Sequence, residues 1–212
     1  MGDPAMSIVL YHHPWSRAAS SVWMLEEVGA PYELRWVDLM AGGQRSPEFM
    51  KLNPMGKLPV LVDGTAVLSE SAAIALYLGD RYAPGRLAPA LDDPARASYL
   101  RWAFFSPSVL EPAAAAKSSG GNFNAVAVGW GEYATMLDAM EVAIGAGPWL
   151  LGEKFSMADT ILGGTLRFLL TFKMVEPRAA FTRYVSRLEA RPAFQRAVAR
   201  NEAVAAEHNL KR

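Results

Sequence analysis

The 212-residue chain contains no cysteine. It therefore cannot form a mixed disulfide, and it cannot use a thiolate of its own as a nucleophile. Histidine is almost as scarce, with three in all. His12 and His13 are adjacent on a strand-like segment and should face opposite sides of it, while His208 stands far along the chain. No metal-ligand spacing results, so no metal is expected. An excess of charge of either sign is missing as well. Twenty-one basic residues balance twenty-one acidic ones, and no bulk field draws the chain to nucleic acid or to an anionic membrane. No apolar run reaches the ~18 residues of a membrane span, and no basic segment leads into an apolar one as in a secretion signal. Residues 1–5, MGDPA, are expected to precede a natural start near Met6.

What is present suits a soluble globular protein: 51% hydrophobic and 20% charged residues, in a length that fits one large or two small domains. Residues 7–11, SIVLY, read as a short buried strand that Pro14 stops. Ser16 opens a helical pattern in which Ala19, Val22, Leu25 and Val28 recur at three-residue spacing, and Gly29 with Pro31 ends it. Residues 32–38 alternate as a second strand. Ser46-Pro47-Glu48 starts a helix with proline at its first position, and Asn53-Pro54 stops it. Residues 59–62 and 66–68 form strands about the Asp63-Gly64 turn signal. An alanine-rich helix follows over 71–82. The order βαβ, helix, ββα predicts one four-stranded mixed sheet with helices on it.

Prolines 84, 89 and 94 with Gly85 mark a change of composition, read as a linker over 84–93. Helical patterns then run over 94–105, 125–144, 157–172, 177–190 and 192–206. KSSGGNFN at 117–124 reads as a mobile loop, and no internal repeat is evident. The fold class is α/β followed by all-α: one domain over 6–83, the linker, and an all-helical domain over 94–212. In FSMAD at 155–159, Ser156 and Asp159 have capping-box spacing, with Asp replacing the usual Glu or Gln. That is a structural device of ~1 kcal/mol. Gly163-Gly164 inside the same helix points to close packing against a neighbour.

The stretch GKLPVLVDGTAVLSES, 56–71, holds two devices that need explaining. Pro59 cannot donate to a sheet ladder and belongs at a strand's first residue, on an edge or at a bulge. Glu70-Ser71 puts a carboxylate and a hydroxyl beside the unpaired N–H groups of a helix start. About a dozen residues apart, the two can line one shallow pocket.

Taken together, LYHHPWS running into a helix, GKLPVLVDG, LSESAAIALYL and FSMAD resemble the cytosolic glutathione S-transferase superfamily, in a serine-type, bacterial-like form. The resemblance covers essentially the whole natural length. It implies a thioredoxin-like N-terminal domain, here the βαβ-α-ββα half, that binds glutathione as co-substrate. It also implies a C-terminal helical domain that shapes the electrophile pocket, a cytoplasmic homodimer and a role in detoxification. In that family the proline of GKLPVL is cis, and the residue before it, here Leu58, offers its backbone N–H and C=O to the cysteinyl part of glutathione. Glu70 and Ser71 match the pair that takes the γ-glutamyl group, Glu70 through the ammonium and Ser71 through the α-carboxylate. Lys57 and Arg45, with Gln44 nearby, are candidates for the glycine carboxylate or for plain surface roles.

The family activates the glutathione thiol with Tyr, Ser or Cys near the end of the first strand. Cysteine is absent, and His12 stands where the tyrosine classes hold Tyr. Ser16, two residues after Pro14, matches the serine classes and is the expected catalytic residue. A helix cap competes for the same hydroxyl, and Arg17, Ser20 and Ser21 stay as alternatives. Tyr99, Trp102, Phe105 and Trp130, with Trp15 opposite, either line an apolar electrophile pocket or belong to the core. The expected function is thiol activation for attack on small apolar electrophiles. The alternatives are a glutathione-dependent isomerase, dehalogenase or ether-cleaving enzyme, or a non-catalytic glutathione-binding protein.

Overall fold

The structure, a computed structural model, describes residues 8–210. The expectations for Ser7, for a start near Met6, for residues 1–5 and for the last two residues lie outside the described residues. The chain divides into two compact units, one formed by the chain up to Leu78 together with Pro192 onward, the other by Gly79–Arg191.

The first unit is built on a four-stranded sheet in the order β2-β1-β3-β4. Strand β1 (Ile8–His12) is central, and Ile8, Leu10 and His12 are buried. Helix α1 (Ala18–Val28) returns the chain to β2 (Tyr32–Trp36), which pairs parallel to β1 from Ile8 opposite Tyr32 to His12 opposite Trp36. β2 is an edge strand, and its alternation of half-buried and exposed residues follows from having one covered face. α1 begins two residues later than Ser16 suggests, because Arg17 occupies its N-cap position. Gly29 ends it with φ 78°, a left-handed turn that glycine adopts without a Cβ penalty. A 3₁₀ turn (Gly43–Arg45) and α2 (Pro47–Leu52) lead to β3 (Val60–Asp63), antiparallel to β1, and then to β4 (Ala66–Ser69) and α3 (Ser71–Tyr82). Ser46 caps α2 by accepting from the Phe49 amide at 3.2 Å.

Helix α9 (Pro192–Glu207), expected within the helical domain, packs on α1 and completes the first unit. The contact is specific: Trp23 meets Phe194 edge to face at 5.2 Å, and Glu26 takes Arg196 and Arg200 at 2.7 and 2.8 Å.

The second unit contains α4 (Ala95–Phe105), a π-helical turn (Ser106–Leu110), α5 (Glu111–Ser118), α6 (Tyr133–Gly145), α7 (Met157–Thr171) and α8 (Ala179–Glu189). Two expectations fail here. A helix forms at 111–118, outside the helical patterns expected from the sequence. The backbone is right-handed helical through Phe105, Leu110 and Glu111, so α4 runs into α5 through the π-helical turn, and neither Pro107 in that turn nor Pro112 stops it. The helix expected from 125 starts only at Tyr133, after Gly131 takes φ 65°. The stretch read as a linker is tied down: the Met157 amide donates to Leu87 O at 2.8 Å, and Arg96 donates to Pro89 O at 2.9 Å. Gly163 answers to close packing, since a Cβ there would stand 2.1 Å from Leu188 Cδ1.

The capping box of α7 closes between Ser156 and Asp159, and the carboxylate does more than cap. It is fully buried and accepts from the Ser156 amide and hydroxyl at 2.9 and 3.1 Å, the Leu150 amide at 2.9 Å and the Tyr184 hydroxyl at 2.8 Å. Burial raises its pKa against the pull of these four donors. Replacing Asp159 by Ala leaves two buried amides and a buried phenol without an acceptor. A loss of roughly 3 kcal/mol or more is expected, at ~1–3 kcal/mol per stranded group, and a urea melt reads it.

Candidate active site

Strand register brings the first unit's candidate residues to one end of its sheet. Tyr11 lies opposite Val60, and Val60 lies opposite Ser69. The residues just beyond these positions must therefore gather at the same edge: His12 to Ser16 after β1, Leu58-Pro59 before β3, and Glu70-Ser71 after β4. The Leu58–Pro59 peptide is cis. The pairing of β3 begins at Val60, so the Leu58 backbone lies beyond the strand ladder.

Glu70 has φ 69°, a left-handed conformation that a residue with a Cβ adopts at a cost of ~1 kcal/mol or more. The turn sends the chain from β4 directly into α3, whose first bond runs from the Ile74 amide to Glu70 O at 3.0 Å. Glu70 is exposed and Ser71 half-buried, so the carboxylate, the hydroxyl and the first amides of α3 stand together at a helix N-terminus. Such an end favours a bound carboxylate, and the Glu70 side chain supplies a counter-charge for an ammonium.

Ser16 lies in the turn between β1 and α1. Its amide and its hydroxyl both donate to His13 O, at 3.0 and 2.8 Å, and its oxygen accepts from the Ala18 amide at 3.1 Å. The hydroxyl is half-buried and held by local bonds on both sides. A sulfur anion brought to it would compete with His13 O for the proton. Ser21 is fully buried, and neither it nor Ser20 lies in the turn, since both belong to α1. Arg17 is exposed beside Ser16.

The two histidines are buried. His12 Nε2 lies 2.6 Å from Asn201 Oδ1, and Asn201 Nδ2 donates to Ala197 O at 2.8 Å and to Ala19 O at 3.3 Å. Two carbonyls can only accept, so they set the amide's orientation and leave Oδ1 to accept from His12 Nε2–H. Burial lowers the pKa of His12 to about 4, the Asn201 bond pulling the other way and His13 adding to the drop. His13 accepts from the Trp15 amide at Nδ1, 3.2 Å away, and its ring stacks on Trp36 at 4.8 Å. Trp36 also stacks with His208, at 3.9 Å. Burial lowers the His13 pKa too. Among the described residues no group of His, Asp, Glu and Cys is placed to hold a metal.

On the side toward α2, Arg45 and Gln44 reach the segment that leads to Leu58. A Cβ on Gly56 would stand 3.0 Å from both the Arg45 guanidinium and Gln44 O, and Gly56 itself takes φ 61°. Lys57 is exposed next to it. Asn53, read from sequence only as a helix stop, holds this loop from inside, donating to Lys57 O at 2.9 Å and accepting from the Met55 amide at 3.1 Å. Its Asn-Pro-x-Gly setting is the turn signature that would have disclosed it. Asn201 had no such local signal.

The aromatic candidates separate. Trp15 is 39% exposed at the tip of the Ser16 turn. In the second unit Tyr99 is fully buried, its hydroxyl against Gly79 and its ring under Arg96, and so it belongs to the core and lines no accessible pocket. Trp102 is also largely core and touches half-buried Phe105 at 4.9 Å. Trp130 packs edge to face on Phe123 at 5.5 Å, in the segment between α5 and α6.

Known proteins resemble this chain in both sequence and fold. Residues 6–80 match the family description of the glutathione S-transferase N-terminal domain, and residues 123–200 that of the C-terminal domain. The chain is 41% identical over 106 residues to glutathione S-transferase 3 of Schizosaccharomyces pombe, covering 50% of this chain and 43% of that one. It is 40% identical over 102 residues to human glutathione S-transferase theta-2, covering 46% and 41%. The matched stretches thus span under half the length of these two relatives. Among solved structures, the theta class glutathione S-transferase of Xanthomonas axonopodis pv. citri, with glutathione bound, superposes with a TM-score of 0.71 at 29% identity, covering 91% of this chain and 97% of that one. A glutathione transferase of Burkholderia graminis, with two glutathione molecules per subunit, gives 0.74 at 28% identity, covering 91% and 88%.

The buried histidines make the first unit acid-sensitive. The unfolded chain's His12 takes up a proton as pH falls through its ordinary 6.5, whereas the folded one stays neutral until about 4. Acidification through that window therefore favours the unfolded chain, by ~3 kcal/mol from His12 alone at its lower end. Urea melts from pH 7.5 to 4 should show this slope, and His12→Phe should flatten it.

Proposed function

The chain belongs to the cytosolic glutathione S-transferase superfamily, and from that premise we propose that it binds glutathione at the converging end of its sheet and joins it through its sulfur to small apolar electrophiles. The observation that carries the reading is the register itself. It brings Leu58-Pro59, Glu70-Ser71 and the Ser16 turn to one end of the sheet. In this reading the Leu58 backbone pairs with the cysteinyl residue, Glu70 takes the γ-glutamyl ammonium, and Ser71 with the first amides of α3 takes its carboxylate. Arg45, Gln44 and Lys57 serve the glycine end, opposite Glu70 across Leu58.

The chemistry proposed for Ser16 needs modest energy. A free thiol of pKa ~8.5 is only a few per cent ionised at pH 7, and lowering that pKa by about two units takes ~2.7 kcal/mol. The Ser16 O–H turns from His13 O to the sulfur and donates to it, and the α1 N-terminus adds its partial positive charge. The thiol proton leaves to water. The thiolate then attacks the electrophilic carbon, a C–S bond forms, and the leaving group departs with its electron pair. Trp15 supplies apolar surface at the tip of this turn. The family's usual homodimer and a cytoplasmic setting complete the proposal.

Two measurements test it. In an ultraviolet titration of bound glutathione, Ser16→Ala should raise the thiol pKa by about a unit, equivalent to ~1.4 kcal/mol, and lower turnover near neutral pH. If the hydroxyl serves only the turn, the variant instead loses stability by ~1 kcal/mol and the thiol pKa stays put. In calorimetry, Glu70→Ala and Ser71→Ala should each weaken glutathione binding by ~1–3 kcal/mol. Unchanged affinity in both removes the γ-glutamyl assignment. A panel of electrophiles assayed with and without glutathione identifies the acceptor class.

A further inference from the structure

One side chain of α9 grips the Ser16 turn from both sides. The turn, residues 13–17, is bracketed by His12, the last residue of β1, and by α1, in whose first turn Ala19 lies. Asn201 binds both brackets. Its Oδ1 accepts from His12 Nε2–H at 2.6 Å, and its Nδ2 donates to Ala19 O at 3.3 Å, across 189 and 182 residues of chain. The bonds of Ser16 to His13, Ala18 and Ala19 stay within the turn and the start of α1. They shape the turn but do not tie the sheet on one side of it to the helix on the other.

The helix that carries Asn201 is fixed on both sides of that residue. Before it, Phe194 packs on Trp23, and Arg196 with Arg200 holds Glu26. After it, His208 stacks on Trp36 of β2. Asn201 is thus a bridge whose helix is anchored on both sides, and it meets a buried His12 while being itself half-buried. We infer that Asn201 is a positioning residue for thiol activation, clamping His12 to Ala19 so that the turn between them presents the Ser16 hydroxyl to the glutathione sulfur. The inference rests on the role given to Ser16 above. A displacement of ~1 Å in such a group can cost on the order of a hundredfold in rate, so the clamp acts on chemistry more than on binding. Glutathione affinity is assigned to Leu58, Glu70 and Ser71, on other segments.

The test substitutes each half of the clamp. Asn201→Leu keeps the side chain's approximate volume and removes its acceptor and both donors. The pKa of bound glutathione thiol should rise by about half a unit or more. kcat/KM at neutral pH should fall several-fold, while glutathione affinity from calorimetry stays within about twofold. His12→Phe removes the other partner and should give the same signature, which keeps the inference testable if one variant does not fold. The double variant should be no worse than the poorer single, because the two residues act as one unit. A variant of either residue that is folded by circular dichroism, yet titrates its bound thiol as the parent does, overturns the inference. Strictly additive losses in the double variant also overturn it. Ser16→Ala in the same titration separates the two levels. If it leaves the thiol pKa in place, the role of Ser16 has failed and the inference falls with it. If it moves the pKa and the clamp variants do not, only the role of Asn201 is lost.

Discussion

Tyr11 opposite Val60 and Val60 opposite Ser69 form a short ladder across three strands, and the candidate site hangs from its last rung. Side chains alternate faces along a strand, so a slip of one residue would turn the buried Leu10 and Leu61 outward and would separate Leu58 from Glu70 by a further pleat. Burial of those side chains, rather than any contact in the site itself, pins the register. The polar groups that would hold a ligand can then stay exposed and weakly bonded until one arrives.

In the proposed mechanism the Ser16 turn is a competition between two acceptors. The hydroxyl proton rests on His13 O, a neutral carbonyl 2.8 Å away, whereas a thiolate offers it a charged partner. Charge-assisted hydrogen bonds are roughly twice as strong as neutral ones, so the exchange favours the anion and disfavours the thiol. His13 shapes the same turn through Nδ1, which accepts from the Trp15 amide. That takes a neutral imidazole, the form that burial favours by lowering the His13 pKa.

Much of the first unit was legible in the sequence. The β1, β2, β3 and β4 segments carry buried or alternating apolar residues, Pro47 marks the start of α2, and Ser71 to Tyr82 forms α3 as read. The site segments were legible because each carries a local anomaly: a proline at a strand entrance, or a carboxylate at a helix start. Helix α5 lay outside the expected patterns because it continues α4 through a π turn that holds Pro107, and α6 starts later than expected, after the left-handed turn at Gly131. The tie of α9 to α1 was illegible for a different reason. Asn201 is one polar residue in a polar helix, and nothing near it in sequence reveals that its amide reaches His12 and Ala19. Tyr99 shows the same limit, because the spacing of an aromatic residue does not tell a cavity wall from a filled core.

Glu70 links the frame to the site in another way. Glycine would take its φ of 69° freely, so substitution there would relax the backbone while removing the carboxylate. Under the role proposed for Glu70, local folding preference and ligand chemistry pull this one position in opposite directions. Where a relative of this fold no longer uses the γ-glutamyl ammonium, relaxed selection should let glycine or asparagine replace the acid, with the domain growing slightly more stable as it loses its ligand. The identity of the residue at this turn then serves as a marker of whether the pocket is still in use.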